Sequence, residues 1–346
     1  MNIIKEADFK ARLQSGLSGG YFFFGEEDYL KGHYIASARK AVSGEDAFGA
    51  FNDIKINAES YSAEKLADVF TVPPMMSEKK FILLDDLDID GMKEDEFEDF
   101  LSVLGLLSEY DYNVFIFSAA SGAFDEGYLP KAPSPKLIKL ASALTAVQFD
   151  LMPRGKLSAW VKRHFAHEKV SADDAVCDYL IDYCGRSMYV LKNEAEKLSA
   201  YVKSRDGDTL TPEDVNAAAT ESPEFGAFAF SNAIMQKDVR TALSLLSMYK
   251  MQKKDPVIVM GEITKVFSDM LSVKMLCDAG MTYLDVAAAL KAQRMNDYKA
   301  KLYAKSTAKV PMEKLQRIIA LCSETDMQLK NSNIGYVALE RLICRV

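Results

Sequence analysis

Residues 21–32 read YFFFGEEDYLKG, an apolar run that ends in Gly-Glu-Glu and leads into a helical pattern. This order of strand, glycine turn and helix is typical of a phosphate-binding loop, whose pattern is G-x-x-x-x-G-K-[ST]. Gly25 and Lys31 are in register with that pattern. Leu30 replaces the second glycine, so its Cβ blocks the close backbone approach of a phosphate. Gly32 replaces the Ser or Thr whose hydroxyl would reach magnesium, so the loop is degenerate.

The acids that follow the glycine also argue against a nucleotide in this loop. Glu26, Glu27 and Asp28 would line the cradle with negative charge and repel a polyanion. Two unit charges about 4 Å apart repel by roughly 1 kcal/mol in water and about 4 kcal/mol near a protein surface. An ordinary strand-to-helix turn with an acidic helix start explains these residues better. We therefore predict that no cofactor binds here.

The composition indicates a folded protein with no membrane span. Hydrophobic residues make up 49% and charged residues 27% of 346 positions, which allows two or three domains with full cores. The formal net charge of −8 repels nucleic acid, so a DNA contact would be local or made beside more basic partners. Residues 1–8 contain acids where a signal peptide needs an apolar run. The five cysteines lack a C-x-x-C pair and indicate reduced core thiols of a cytoplasmic protein.

The first part of the chain, residues 1–150, alternates strand and helix patterns. Nearly continuous apolar runs predict parallel strands covered on both faces, and Ser62 predicts the start of one intervening helix. Strands that alternate with helices predict a mostly parallel five-stranded sheet with right-handed crossovers. The predicted strands are residues 21–24, 51–56 at a sheet edge, 81–84, 114–118 and 146–149, and the predicted helices between them are residues 29–42, 63–70 and 94–107.

Strand patterns end near residue 150, and the remainder is predicted to be helical. Thr211 and Pro212 together indicate a helix start, because Thr caps the helix and Pro fits its first turn. Residues 220–224 read TESPE and predict a linker. The fold class is therefore α/β plus all-α. We predict three domains: an α/β domain at residues 1–150, a small helical domain at 151–221 and a larger helical domain at 222–346.

Two adjacent methionines, Met75 and Met76, follow a helix stop made by Pro73 and Pro74. Neighbouring side chains in such an extended segment cannot both point into one core, so at least one is expected to face solvent or a partner. Methionine is flexible and polarizable, which suits it for docking into an apolar pocket. Spacing alone nevertheless favours the alternative in which both side chains cover the top of the sheet.

Several segments, taken together, resemble the delta-subunit family of bacterial DNA polymerase III clamp loaders. The order and spacing of these segments carry the likeness over about residues 20–345. They are the strand and Gly-Glu-Glu turn at residues 21–30, PMMSEKKFILL at 74–84, Gly185 followed by LKNEAEKL at 191–198, LTPEDV at 210–215, and weaker matches at Phe228, Ala233, Ile234, Asp255 and Pro256.

The resemblance implies an AAA+-like α/β domain, a helical lid and a helical collar, with no catalysis of their own and no bound metal. It implies that Met75 and Met76 are the apolar pair that enters a hydrophobic pocket of the sliding clamp, where the family often has Leu-Phe. The clamp would open at one interface and be loaded on primed DNA. Implied partners are the beta clamp, ATPase subunits and a delta-prime-type subunit in a cytoplasmic hetero-pentamer, with DNA contacts only in the assembled loader.

Other motifs favour ordinary structural roles. Asp85 and Asp86 end a strand as magnesium-binding acids do in ATPases, but beside a degenerate loop they indicate a solvated acid pair. His164 and His167 have helical spacing without a third ligand, which argues against a metal site. The basic runs at residues 79–80 and 250–254 are typical of solvated faces, and the alternative is a contact with DNA or a partner.

Two other functions remain open from the residues alone. One is an active AAA+ ATPase subunit with an atypical phosphate loop around Lys31. The other is a helical adaptor unrelated to replication, in which Met75 and Met76 belong to the core.

Overall fold

The computed structural model describes residues 2–44, 49–290, 295 and 297–346. The chain forms two compact units, Met1–Leu157 and Ser158–Val346. The further division of the second unit at about residue 221 stays a prediction.

The first unit is built on a parallel sheet of six strands among the described residues. The strands are β1 Ile3–Lys5, β2 Gly19–Phe24, β3 Asp53–Asn57, β4 Lys80–Asp85, β5 Asn113–Ser118, a small hairpin of β6 Gly127–Tyr128 and β7 Ala132–Pro133, and β8 Thr145–Gln148. The strand order in the six-stranded sheet is β1-β8-β2-β5-β4-β3, so the predicted edge strand lies at an edge. The α/β class is confirmed, and the sheet has one strand more than the predicted five. The additional strand, β1, has three residues and pairs on one side only, with β8.

Alternating residues of β2 belong to different hydrophobic cores on the two faces of the sheet. Phe22 and Phe24 pack into one core, while Tyr21 and Phe23 pack into the other. A central parallel strand needs apolar residues at every position because helices cover both of its faces. The helices of this unit are α1 Glu6–Ser15, α2 Asp28–Ser43, α3 Ala63–Thr71, α4 Glu94–Gly105 and α5 Pro135–Ala143.

The prediction that Phe51 begins a strand is wrong. Gly49–Asn52 forms a 3₁₀ turn, and the strand begins at Asp53. Phe51 is 63% exposed on this turn. The predicted helix start at Ser62 is confirmed, since its hydroxyl accepts a 3.1 Å hydrogen bond from the Lys65 N–H.

The second unit is helical. Thr211 caps its helix as predicted, and the helix containing Pro223 begins inside the segment that was predicted to be a linker. Because Pro fits the first helical turn, Pro223 starts that helix rather than preventing it. The helices are α6 Arg154–His167, α7 Asp174–Cys184, α8 Met188–Ser204, α9 Pro212–Ala218, α10 Pro223–Met235, α11 Val239–Met251, α12 Pro256–Asp278, α13 Tyr283–Ala289, α14 Asp297–Thr307, α15 Met312–Asn331 and α16 Tyr336–Arg345.

Helix α12 contributes many side chains to the core of the second unit, including Met260, Phe267 and Met270. In the described part of the chain, no helix is long and apolar enough to cross a membrane. All five cysteines are free thiols, but the prediction that all of them lie in the core is wrong, since Cys344 is exposed near the end of α16.

Candidate functional site

Both methionines singled out by the sequence are exposed. They lie in the segment that connects α3 to β4, where Met75 is 49% and Met76 79% exposed. Val72, at the start of the same segment, is 59% exposed. We call Val72, Met75 and Met76 the apolar tip. Neither methionine packs into the sheet, so the arrangement in which both cover its top does not occur.

The side chain of Asn52 forms hydrogen bonds with the backbone of the tip. The Met75 N–H donates to Asn52 Oδ1 at 2.7 Å, and Asn52 Nδ2 donates to the Met75 carbonyl at 2.8 Å. Asn52 is only 1% exposed. Its own carbonyl accepts a 3.2 Å hydrogen bond from the buried hydroxyl of Ser43 at the end of α2. The tip is thereby connected to the body of the unit.

The end of α3, from which the tip emerges, has its carbonyl groups bonded to three side chains. The Lys80 ammonium donates to the carbonyls of Val69 and Val72. The Tyr112 hydroxyl donates to the Thr71 carbonyl at 2.8 Å. Asn113 Nδ2 donates to the Phe70 carbonyl at 3.0 Å. The last carbonyls of a helix lack partners within the helix, so these side chains satisfy them and fix where the chain leaves α3.

Lys80 is buried, although the sequence predicted that its basic pair was solvated. It is 1% exposed, and its ammonium lies 5.3 Å from the centre of the Tyr112 ring. Burial lowers the pKa of Lys80 to about 8, because the charged form loses its hydration. Lys79 also bonds within the unit, since its ammonium donates to the Leu17 carbonyl at 2.6 Å.

The degenerate phosphate loop is a short turn followed by a helix, and Lys31 in that helix is already hydrogen-bonded. Only Gly25, Glu26 and Glu27 separate β2 from α2, so Leu30, Lys31 and Gly32 all lie in the helix. The buried Lys31 ammonium donates to the carbonyls of Gly25 at 3.0 Å and Ala119 at 2.6 Å.

Acidic groups surround that turn. Asp28 pairs with Lys31 at 2.7 Å, and Asp85 pairs with Lys55 at 3.0 Å. Asp86 is exposed, and its pKa is raised first by partial burial and then by the charges of Asp85 and Asp28. Each acid therefore faces other charges of this unit, and the local field disfavours an anionic ligand.

The two helical histidines lie at a surface groove of about 350 Å³ between α6 and α8. His164 contacts the Trp160 ring with centroids 4.2 Å apart, and burial lowers the pKa of His164. Lys192 also lines the groove and pairs with Glu196 at 3.8 Å. Within the described residues, no group of three or more His, Cys, Asp or Glu side chains is placed to hold a metal ion.

The basic run at residues 250–254 makes contacts within the second unit. Lys250 pairs with Glu340. The Lys254 ammonium lies 4.5 Å from the Tyr249 ring centre. These contacts give the run a structural role.

Comparison with known proteins found delta subunits of bacterial DNA polymerase III among the matches. Residues 224–346 match the family model described as the DNA polymerase III delta subunit, C-terminal domain. The resemblance to DNA polymerase III delta subunits is confirmed. DNA polymerase III subunit delta of Bacillus subtilis (strain 168) is 22% identical over 318 residues, covering 90% of this chain and 87% of that protein. The solved Bacillus subtilis DNA clamp loader delta protein has the same fold, with a TM-score of 0.64 and 18% identity over 98% of both chains.

Sequence reasoning found the methionines of the apolar tip but missed the residues that hold it. Asn52 bonds Met75 across 23 positions, and no local pattern marks such a pair. One feature of the sequence could have indicated the role of Lys80. It is the first residue of the buried strand β4 and follows the tip. A lysine that begins a buried strand is a candidate for capping a neighbouring helix end.

Proposed function

We propose that this chain is a delta-type subunit of a DNA polymerase III clamp loader and that its apolar tip binds the sliding clamp. The single observation that carries the proposal is the exposure of Met75 and Met76 on a segment whose backbone is hydrogen-bonded to the side chain of Asn52. Adjacent exposed apolar residues are usual at binding surfaces. The similarity to delta subunits supports the choice of a clamp as the partner.

Burial of the tip in a pocket would supply a useful part of the binding energy. Full burial of a methionine side chain contributes about 1.5–3 kcal/mol. Met75 is 49% and Met76 79% exposed, so each still has a large share of that free energy to gain. For the pair this amounts to roughly 2–4 kcal/mol, or about 30- to 700-fold in dissociation constant.

Ring opening would follow from a difference in affinity. A tip that binds an open clamp interface more tightly than a closed one shifts the clamp towards the open form. The size of the shift is limited by the difference between the two affinities. No chemical step by this chain is needed for that mechanism.

ATP would act in partner subunits. The bonded state of Lys31 and the short turn around Gly25 support a chain without catalysis of its own. The C-terminal helices, about residues 222–346, would join the collar of a cytoplasmic hetero-pentamer with ATPase subunits and a delta-prime-type subunit. The formal net charge of −8 supports DNA contacts only within that assembly.

The test is binding to the purified sliding clamp of the same organism by the wild type and by the double variant Met75→Ala/Met76→Ala. We expect the double variant to lose about 30- to 700-fold in affinity. A matched control is Met248→Ala/Met251→Ala, which removes two exposed methionines of α11 and should bind the clamp as the wild type does. Release of clamps from nicked circular DNA tests ring opening with the same proteins.

The outcomes separate the alternatives. Absence of clamp binding by the folded wild type would refute the proposal and leave a helical adaptor as the better reading. A core role for Met75 predicts that Met75→Ala lowers the free energy of unfolding by about 2–5 kcal/mol. An exposed binding residue predicts a change within about 0.5 kcal/mol.

A further inference from the structure

The side chain of Asn52 pairs with the Met75 backbone as a neighbouring strand would. Its amide uses one donor and one acceptor, Nδ2 to the Met75 carbonyl and the Met75 N–H to Oδ1, at 2.8 and 2.7 Å. Two bonds to one residue fix both the position and the rotation of its peptide groups. Buried side-chain amides are usually hydrogen-bonded, and here the partner is the backbone of an exposed residue 23 positions away.

The tip has a conformation that needs such support. Met76 has a φ of 54°, in the left-handed region that costs a residue other than glycine about 1–2 kcal/mol. Met76 is 79% exposed, so packing of its side chain against the described residues does little to offset this strain. Pro73 and Pro74 restrict the backbone on the other side of Met75. Strain held in place by surrounding bonds is characteristic of functional segments.

Asn52 cannot itself touch a partner in this conformation, because it is 1% exposed. Any effect of Asn52 on binding must therefore act through the tip. A binding segment that is already ordered loses less conformational entropy on association, so it binds more tightly with the same contacts.

We propose that Asn52 is a positioning residue that presets Met75 and Met76 in the conformation that enters the clamp. This inference rests on the proposed function of the tip. Without the two hydrogen bonds, the preset conformation becomes one of several, and the observed affinity falls in proportion to its population. We expect a loss of about tenfold, which corresponds to about 1.4 kcal/mol shared between two hydrogen bonds.

The experiment measures clamp affinity of the full-length chain for Asn52→Leu and Asn52→Asp. Leu keeps the approximate volume and removes both bonds, so the full loss of about tenfold is expected. Asp keeps the acceptor for the Met75 N–H but places a carboxylate oxygen against the Met75 carbonyl, so it should also bind more weakly. Circular dichroism confirms that each variant is folded at the temperature of the assay.

A double-mutant cycle distinguishes positioning from a general loss of stability. Asn52→Leu is combined with Met76→Ala, and the affinities of the four proteins are compared. If Asn52 acts through the tip, its replacement costs less affinity in the Met76→Ala background than in the wild type. An equal cost in both backgrounds would overturn the inference.

A second readout needs no clamp. In the free protein, hydrogen exchange of the peptide that covers residues 73–79 should accelerate in Asn52→Leu, because the Met75 N–H loses its acceptor. Clamp affinity within twofold of the wild type in both Asn52 variants would overturn the inference while leaving the proposed function intact. If Met76→Ala and Met75→Ala also bind normally, the proposed function itself fails.

Discussion

Replacing Lys80 by methionine tests how the base of the apolar tip is built. Lys80 is 1% exposed, and burial lowers the pKa of its ammonium from the usual 10.5 to about 8. In the unfolded chain the group regains its ordinary pKa, so between pH 8 and 10.5 the unfolded state binds more protons than the folded state. The free energy of unfolding therefore rises with pH in this window, because the cost of burying the charge disappears as Lys80 is deprotonated.

The size of the expected change in the free energy of unfolding follows from the pKa shift of Lys80. One pKa unit corresponds to about 1.4 kcal/mol, so the full pKa shift of Lys80 corresponds to roughly 3 kcal/mol. Relative to Lys80→Met, which does not titrate, the wild type should gain about 1 kcal/mol in free energy of unfolding between pH 7 and pH 9, and about 2 kcal/mol by pH 9.5. The difference at pH 7 alone is less informative, because Met removes a buried charge and also leaves the Val69 and Val72 carbonyls without their donor.

The assay is urea unfolding of both proteins at each pH, followed by two signals. Trp160, the single tryptophan, lies in the second unit and reports its unfolding. Far-ultraviolet circular dichroism reports both units, so a transition absent from the fluorescence belongs to the first unit. Lys80→Arg should give the same pH slope relative to the wild type as Lys80→Met, because its guanidinium keeps its charge in both states.

If the free energies of unfolding of the wild type and Lys80→Met differ by the same amount from pH 7 to 9.5, this reasoning is refuted. The Lys80 ammonium would then be as well hydrated as in the unfolded chain. A pH-dependent change in the Trp160 transition that follows the Lys80 substitution would also contradict it. That result would place the effect outside the unit that contains Lys80.

Three further predictions concern the turn after β2 and the end of α3. Gly25→Ala should lower the thermal unfolding midpoint and cost about 2 kcal/mol or more, since φ is 106° and a Cβ would lie 2.5 Å from the Phe149 carbonyl oxygen. Tyr112→Phe should cost about 0.5–1.5 kcal/mol in urea unfolding through loss of the bond to the Thr71 carbonyl. Calorimetry with ATP and magnesium should detect no binding; binding that Lys31→Ala abolished would instead favour an active ATPase subunit.

The sequence predicts the parts of the fold that depend on local patterns. The buried strands β2, β4 and β5 appear as apolar runs because both faces of each are covered. Helix starts at Ser62 and Thr211 are recognisable because the capping residue and its helix are adjacent in sequence. The three-residue strand β1 is too short to show a sequence pattern. Its partner β8 is far away in the sequence, so no local signal indicates the pairing.

In the candidate site, too, some residues are recognisable from local sequence patterns and others only from the folded structure. Met75 and Met76 are recognisable because the prolines before them are local signals. The role of Asn52 depends on a contact across 23 positions, and the burial of Lys80 depends on carbonyl groups that only the folded α3 brings together. The apolar character of Phe51 predicts a strand, whereas its exposure is decided by the turn around it.

The short turn after β2 also limits what protein engineering could do with this chain. Installing the missing phosphate-loop residues, Leu30→Gly and Gly32→Ser, would change positions that already lie within α2. A glycine there would weaken the helix by roughly 1 kcal/mol without creating a cradle of free backbone N–H groups. A phosphate cradle at this turn would require a longer connection and the release of Lys31 from two carbonyls and Asp28. Building one would therefore take an insertion as well as substitutions.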